Sequence, residues 1–305
     1  MSTAQAIRAK PHRFGLRSAF LQKMFPRCEN GRCVNRGSLW PIVRRRSVGV
    51  HLESHWFCSP ACFEESVALL LETIVPLASR WKPKVHRLPI GLVLLSHGVI
   101  RDDQLRQALE RQRIEGARRL GYWLLEMGAA SEDQITSALA AQWSCPVFPL
   151  ANDRSFLECC NLLPATIIKA ARMLPVYSSR DGSSVYMAFA EGVDHGSLRS
   201  AEHILGRATV PCFVSESALD RALREIGSKA RPEEFSFETV ADVREMARIT
   251  RSFAVQLRAG SVQLVGCREF AWARIHSMGI ARDLLFRLPV ASQSANAGTK
   301  SPDRR

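Results

Sequence analysis

Four cysteines in two short pairs are the first residues able to do chemistry: Cys28 and Cys33 with four residues between them, Cys58 and Cys62 with three. Tetrahedral zinc takes four thiolate or imidazole ligands, and a short spacing lets one turn supply two of them. Gly31 falls inside the first pair, where a tight knuckle is expected to need it. Cys58 and Cys62 open a helical stretch with Pro60 in its first turn, a position proline tolerates and where the helix dipole favours anionic sulfur. A knuckle followed by a helix N-terminus resembles the treble-clef type of zinc module. His51 and His55 lie close enough to replace one cysteine. Four sulfur ligands leave no open position for water, so the expected role is structural. The simpler alternative is four unrelated reduced thiols. The other five cysteines, Cys145, Cys159, Cys160, Cys212 and Cys267, show no paired spacing and are expected to behave as small buried hydrophobes.

A second pattern is written twice. "PIGLVLLSHGVIRDDQLRQALERQ" from Pro89 and "RLGYWLLEMGAASEDQITSALAAQ" from Arg119 align at an offset of thirty residues. Gly91 matches Gly121, Leu94 matches Leu124, Gly98 matches Gly128, Leu105 matches Ile135, Leu109 matches Leu139 and Gln112 matches Gln142. Fixed-period repetition marks a repeated structural unit. Ser131 and Gln134 form a capping box; Ile135, Ala138, Leu139 and Gln142 fall on one face of the helix that follows. Gly98 and Gly128 suit the left-handed position that stops a helix. Each copy is therefore expected to be a helix, a glycine-stopped turn and a second helix. Packed hairpins account for the leucines and the turn glycines. They do not account for Gly91 and Gly121 inside the first helices, where glycine costs roughly 1 kcal/mol against alanine, and this implies that something approaches the backbone there.

The tandem pattern RLGxxLxxxGxxxxxxLxxxLxxQ is similar to the N-terminal domain of type II secretion and type IV pilus assembly ATPases, the MshEN-type domain. "LLPATIIKAARMLPVYSSRDGSSVYMAFAEG" and "ILGRATVPCFVSESALDRALREI" extend the resemblance over about residues 86–228. It implies cyclic di-GMP as ligand, each copy holding about half of it, and a role in secretion or pilus-related processes. Copy two carries Arg119, Leu120, Gly121, Leu124, Gly128, Leu139 and Gln142; copy one keeps Gly91, Leu94, Gly98, Leu105, Leu109 and Gln112. By that resemblance the leucines would meet guanine faces and the glycines would admit the sugar-phosphate. Arg119 would meet a guanine edge or phosphate, and the two glutamines would supply hydrogen bonds. Copy one departs at its opening, where Pro89-Ile90 stand for Arg-Leu and Arg87 lies two positions early. That removes a planar, permanently charged donor.

The elements that must position these residues follow from patterning. The fold class expected is α+β and multidomain: a basic disordered arm (1–26), a zinc module with a helix (27–80), the secretion-ATPase-like domain (86–228), a small α+β module (232–290) and a disordered tail (291–305). Within the third unit, tandem hairpins (86–145) precede an α/β subdomain (146–228) of β-β-α-β-α order, with strands around the Asp181-Gly182 turn and helices ending at Gly206 and Gly227. The net charge of +13 is concentrated, since residues 1–50 carry +10 and the remaining 255 only +3. Nucleic acid is therefore a partner class for the arm. Residues 87–142 carry seven arginines and seven acids, so the hairpins are no basic DNA-reading face. No GxxxxGK[ST] phosphate loop, HExxH or GxSxG occurs, and no enzymatic activity is expected. No apolar run reaches the ~18 residues of a membrane span and no signal peptide is visible, so a cytoplasmic protein is expected. The expected function is a non-enzymatic receptor or adaptor that binds cyclic di-GMP and signals to a protein partner. Two alternatives stay open: a scaffold of the same fold without nucleotide, and a zinc-containing nucleic-acid binder acting through residues 1–50.

Overall fold

The two sequence copies become two copies of one backbone in the computed structural model of the chain, which describes residues 27–34, 49–78, 87–116, 118–150, 156–226, 234–240 and 242–288. The basic arm, the expected linker after the first helix, Gly227 and the C-terminal tail lie outside the described residues. Copy one is α2 (Ile90–Ser96) and α3 (Asp102–Glu115); copy two is α4 (Leu120–Glu126) and α5 (Glu132–Trp143). Gly98 and Gly128 take φ +67° and +62°, and Gly98 N–H donates to Leu95 as Gly128 N–H does to Leu125. Ser131 and Gln134 cap α5 reciprocally, at 3.2 and 2.8 Å.

The hairpins exchange partners. α2 packs on α5 of the other copy, and α3 on α4. Gln142 donates from its Nε2 to the Leu88 carbonyl, and Gln112 donates to the Arg118 carbonyl at 3.0 Å. Positions 88 and 118 are thirty residues apart, so both bonds obey one local two-fold. A shared core of Val93, Leu94, Leu105, Trp123, Leu124 and Ile135 closes the unit.

Packing also explains one of the two helical glycines. A Cβ at Gly91 would lie 2.6 Å from Leu105 Cδ1 and 3.0 Å from Leu120 Cδ2, whereas at Gly121 the nearest atom, Ile135 Cγ2, stands at 3.4 Å. The expectation that both glycines answer to a ligand is thus corrected at Gly91, which the neighbouring helices require. Gly91→Ala is expected to destabilise by about 1–3 kcal/mol through overpacking. Gly121→Ala is expected to be neutral or to stabilise by up to ~1 kcal/mol through helix propensity. Denaturant melts of the two variants check this contrast; equal losses would contradict it.

Downstream, β3 (Leu174–Ser178), β4 (Ser184–Phe189) and β5 (Ala208–Phe213) form a three-stranded sheet in that order, antiparallel and then parallel. The tight turn between β3 and β4 uses Gly182 at φ +70°. The crossover from β4 to β5 is α8 (His195–Leu205), capped by Asp194, whose carboxylate accepts from Gly196 and Ser197 N–H. α9 (Glu216–Ile226) follows, and before the sheet come α6 (Phe156–Cys159) and α7 (Ala165–Ala171). Ile167, Ile168, Met173, Val185, Phe189 and Phe213 are enclosed in the core that results.

The two chain ends do not form the separate modules expected at 27–80 and 232–290. One six-stranded sheet runs β2-β1-β7-β8-β9-β6. It joins β1 (Val50–Leu52) and β2 (His55–Phe57) to β6 (Glu234–Phe237), β7 (Ser261–Cys267), β8 (Phe270–Ser277) and β9 (Ile280–Arg287). β1 lies parallel to β7, with His51 opposite Ser261. Residues alternate between the faces, as period-two backbone requires. Ala271, Ala273, Ile275, Leu284 and Phe286 share a core with Phe63, Val67 and Leu71 of α1 (Pro60–Ala78) and Met246 and Ala247 of α10 (Val243–Gln256). Phe270, Trp272 and Leu285 instead join the core of the α/β subdomain. Neither end can bury its apolar face without the other.

Polar contacts fix this sheet on the subdomain. Ser200 Oγ donates to the Gly266 carbonyl at 2.6 Å, and Glu234 on β6 caps α7 by accepting from Ala165 N–H and Thr166 Oγ1, each at 2.7 Å. Asp283 and Arg274 form a buried ion pair at 2.8 Å.

Candidate functional site

The four cysteines converge. Their Sγ atoms all lie within 4.8 Å of one another, with Cys33–Cys58 at 3.6 Å and Cys58–Cys62 at 4.0 Å. Zn–S bonds of ~2.3 Å in a tetrahedron separate sulfurs by about 3.8 Å, so the cluster fits the ion. All four are free thiols. Burial, reinforced by the neighbouring sulfurs, pushes the Cys58 thiol up to about 12, and burial also raises Cys28. Cys28 and Cys58 are buried and Cys33 and Cys62 half-buried, a crowded sulfur donor set of the kind that holds a tetrahedral cation.

The first knuckle is built differently from expectation. Gly31 has no left-handed φ and a Cβ there would meet nothing within 4 Å. The buried Asn30 shapes the turn instead: its Oδ1 accepts from Arg32 N–H at 2.8 Å, and its Nδ2 donates to Glu65 on α1 at 2.9 Å. Glu29 N–H donates to the Trp56 carbonyl on β2 at 3.1 Å. The second pair sits where the sequence put it, with Ser59 capping α1 through Cys62 N–H at 3.2 Å. His51 and His55 point to solvent from β1 and β2 and are outside the cluster.

On the hairpins, the motif residues separate into core and surface. Leu94 and Leu124 are fully enclosed and Leu105 and Gly91 are buried, so these four hold the helices together. Leu120, Gly121, Leu139, Gln112 and Gln142 are half-buried; Leu109, Gly98, Gly128 and Arg119 are exposed. Leu88, Leu92 and Tyr122 add exposed apolar surface that the motif does not specify. The Arg118 guanidinium lies over the Tyr122 ring, 4.6 Å from its centre.

Arg119 precedes α4 as its N-cap residue. Its Nη2 pairs with Glu191 Oε2 at 2.7 Å and its Nη1 donates to the Glu191 carbonyl at 3.2 Å. The guanidinium fork therefore holds two oxygens of the loop after β4. Arg87 does not stand in for the arginine missing from copy one. It stacks on Trp143, 3.0 Å from the ring centre, with its Nη2 3.5 Å from His195 Nε2, and burial holds its guanidinium below its ordinary range. A cavity of about 300 Å³ opens between hairpins, subdomain and six-stranded sheet, lined by Arg119, Trp143, Arg172, Glu191, Asp194 and Arg268 among others. Glu191, Asn30 and Arg268 carried no recognisable spacing in the sequence, because each acts on a group distant along the chain.

Residues 143–233 match the family model of the MshEN domain, which is the α/β subdomain; the tandem hairpins lie upstream of the matched stretch. The type IV pilus assembly ATPase PilB of Thermus thermophilus is 30% identical over 134 residues, 44% of this chain and 15% of that protein. Bacteriophage adsorption protein B of Escherichia coli K12 is 28% identical over 153 residues, 47% of this chain and 19% of that protein. The chain thus spans less than a fifth of the length of either curated relative. A solved structure of MshE with cdg is 28% identical, with coverage of 46% of this chain and 99% of that one and a TM-score of 0.40. Among the described residues no helix is long and apolar enough to cross a membrane. Over residues 143–233, under a third of its length, the chain is thus similar to the MshEN domain.

Proposed function

We propose that this protein is a non-enzymatic receptor that binds cyclic di-GMP on its tandem hairpins and passes the bound state to a protein partner in a cytoplasmic, secretion- or pilus-related process. The observation that supports it most is the local two-fold of the hairpins, with Gln112 and Gln142 in equivalent bonds. A ligand made of two like nucleotides is well met by two like half-sites. Arg119, Leu120, Gly121, Gly128, Leu139 and Gln142 would serve one half, and Gly98, Leu109 and Gln112 the other. Zinc on Cys28, Cys33, Cys58 and Cys62 would be structural.

Calorimetric titration with cyclic di-GMP tests the reading. Arg119→Ala is expected to weaken binding roughly ten- to a hundredfold, because a charge-assisted hydrogen bond is worth ~1.5–3 kcal/mol. Glu191→Gln is expected to strengthen it by about 1.5- to fivefold, since the exposed ion pair that competes for Arg119 is worth ~0.2–1 kcal/mol. A parent protein that binds no cyclic di-GMP supports the scaffold alternative.

A further inference from the structure

The two half-sites share a backbone but not a surface. Pro89 at φ −56°, ψ 137° occupies the position that Arg119 holds at φ −76°, ψ 158°. The local two-fold also pairs Leu88 with Arg118 and Leu92 with Tyr122. All of these side chains are at the surface: Leu88 is 64% exposed, Leu92 47% and Tyr122 37%, and the Arg119 side chain 71%. The differences therefore fall where a ligand would touch, while the positions beneath keep their hydrophobic character. Copy one presents an apolar shelf. Copy two presents an arginine stacked on tyrosine beside a second arginine.

Their chemistries recognise different things. An apolar shelf gives contact area to any base face and cannot distinguish one base from another. A guanidinium fork can, because guanine presents O6 and N7 as adjacent acceptors and adenine presents one acceptor beside a donor. Arg119 already satisfies two acceptors in this structure, the Glu191 carboxylate and carbonyl oxygens, which is the demand a guanine edge would meet. Among the described residues nothing equivalent is seen at copy one, where Arg87 is turned onto Trp143 and His195.

We infer that only copy two reads a guanine, so that the site accepts a cyclic dinucleotide with one guanine and one other purine nearly as well as cyclic di-GMP. This inference rests on the receptor reading proposed above. The mixed ligand can seat its guanine in one orientation and cyclic di-GMP in two, a statistical factor of about two. The experiment is titration of the full chain with cyclic di-GMP, cyclic GMP-AMP and cyclic di-AMP. The first two are expected to bind within about threefold of each other. The third is expected to be weaker by ten- to a hundredfold, within the range for one arginine–guanine pair. Pro89→Arg, whose backbone angles suit arginine, should open a gap of at least tenfold between cyclic di-GMP and the mixed ligand. A parent that already rejects the mixed ligand by tenfold overturns the inference, as does equal binding of all three; both leave the receptor reading standing. Failure of every ligand to bind overturns the receptor reading itself, and this inference with it.

Discussion

Purified protein is expected to carry about one zinc per chain, and Cys58→Ser is expected to release it. The structural consequence should extend well beyond the knuckle. Cys28 and Cys58 are buried in the same core as Val262, Leu264 and Phe286, and β1, a short strand held between the cysteine pairs, is hydrogen-bonded to β7. Without metal, what ties the Cys28–Cys33 segment to β2 and α1 is a handful of polar contacts, among them Glu29–Trp56, Asn30–Glu65, Asn30–Cys62 and Arg32–Glu65. Zinc supplies ~10–16 kcal/mol to isolated finger peptides. Even a third of that, at roughly 2–4 °C per kcal/mol for a unit of this size, lowers the melting temperature on the order of 10 °C. Metal analysis and melting curves with and without chelator check both parts. Protein from zinc-replete medium that contains no zinc, or that melts unchanged after the metal is stripped, would refute the structural role.

Asp283→Ala should be the most damaging single substitution in the six-stranded sheet. The carboxylate accepts from Trp272 Nε1 at 2.7 Å and from Arg274 Nε and Nη2 at 2.8 and 2.9 Å, while Arg274 Nη2 also donates to the Leu162 carbonyl at 2.9 Å. Both charged groups are buried. Removing one partner leaves the other charge uncompensated, and such losses run ~3–5 kcal/mol. The pair spans the seam where β8 and β9 meet the α/β subdomain, so sheet and subdomain should lose cooperativity together. Hydrogen exchange on the variant checks this: protection should fall in β3–β5 as well as in β7–β9. A loss confined to the edge strand β6, or below ~1 kcal/mol, would show that the pair does not join the two units.

Most of the charge asymmetry noted along the chain resides in residues 1–26 and 35–48, outside the described residues. What matters for the hairpins is local. Two arginines on one half-site and a leucine–proline pair on the other are separated by thirty residues of sequence and by one symmetry operation in space.

The sequence by itself determined whatever depends on neighbours along the chain. Helix stops at Gly98, Gly128 and Gly206, the Ser131–Gln134 cap and the Asp181-Gly182 turn are local choices of backbone geometry and capping, and each is legible because its partners lie within a few residues. The cysteine spacing and the thirty-residue repeat are legible for the same reason, and the repeat also predicted two equivalent hairpins. Tertiary structure decided the rest. β1 and β2 are three residues each, too short to display period-two alternation; they pair with each other, and they join a larger sheet only because β7, more than two hundred residues later, offers its edge to β1. The same distance hid that the cysteine-bearing segment and the C-terminal strands bury one another. Gly91 looked like Gly121, yet Gly91 is the more crowded, because Leu105 of its own copy presses closer than Ile135 does at Gly121 and Leu120 reaches across from the other copy. Arg119 was marked by its motif, but the competitor that holds its guanidinium, Glu191, comes from a loop seventy-two residues away. Long-range burial and charge pairing leave no periodic trace in sequence, and they set the assembly of this protein's two sheets and the resting state of its proposed ligand site.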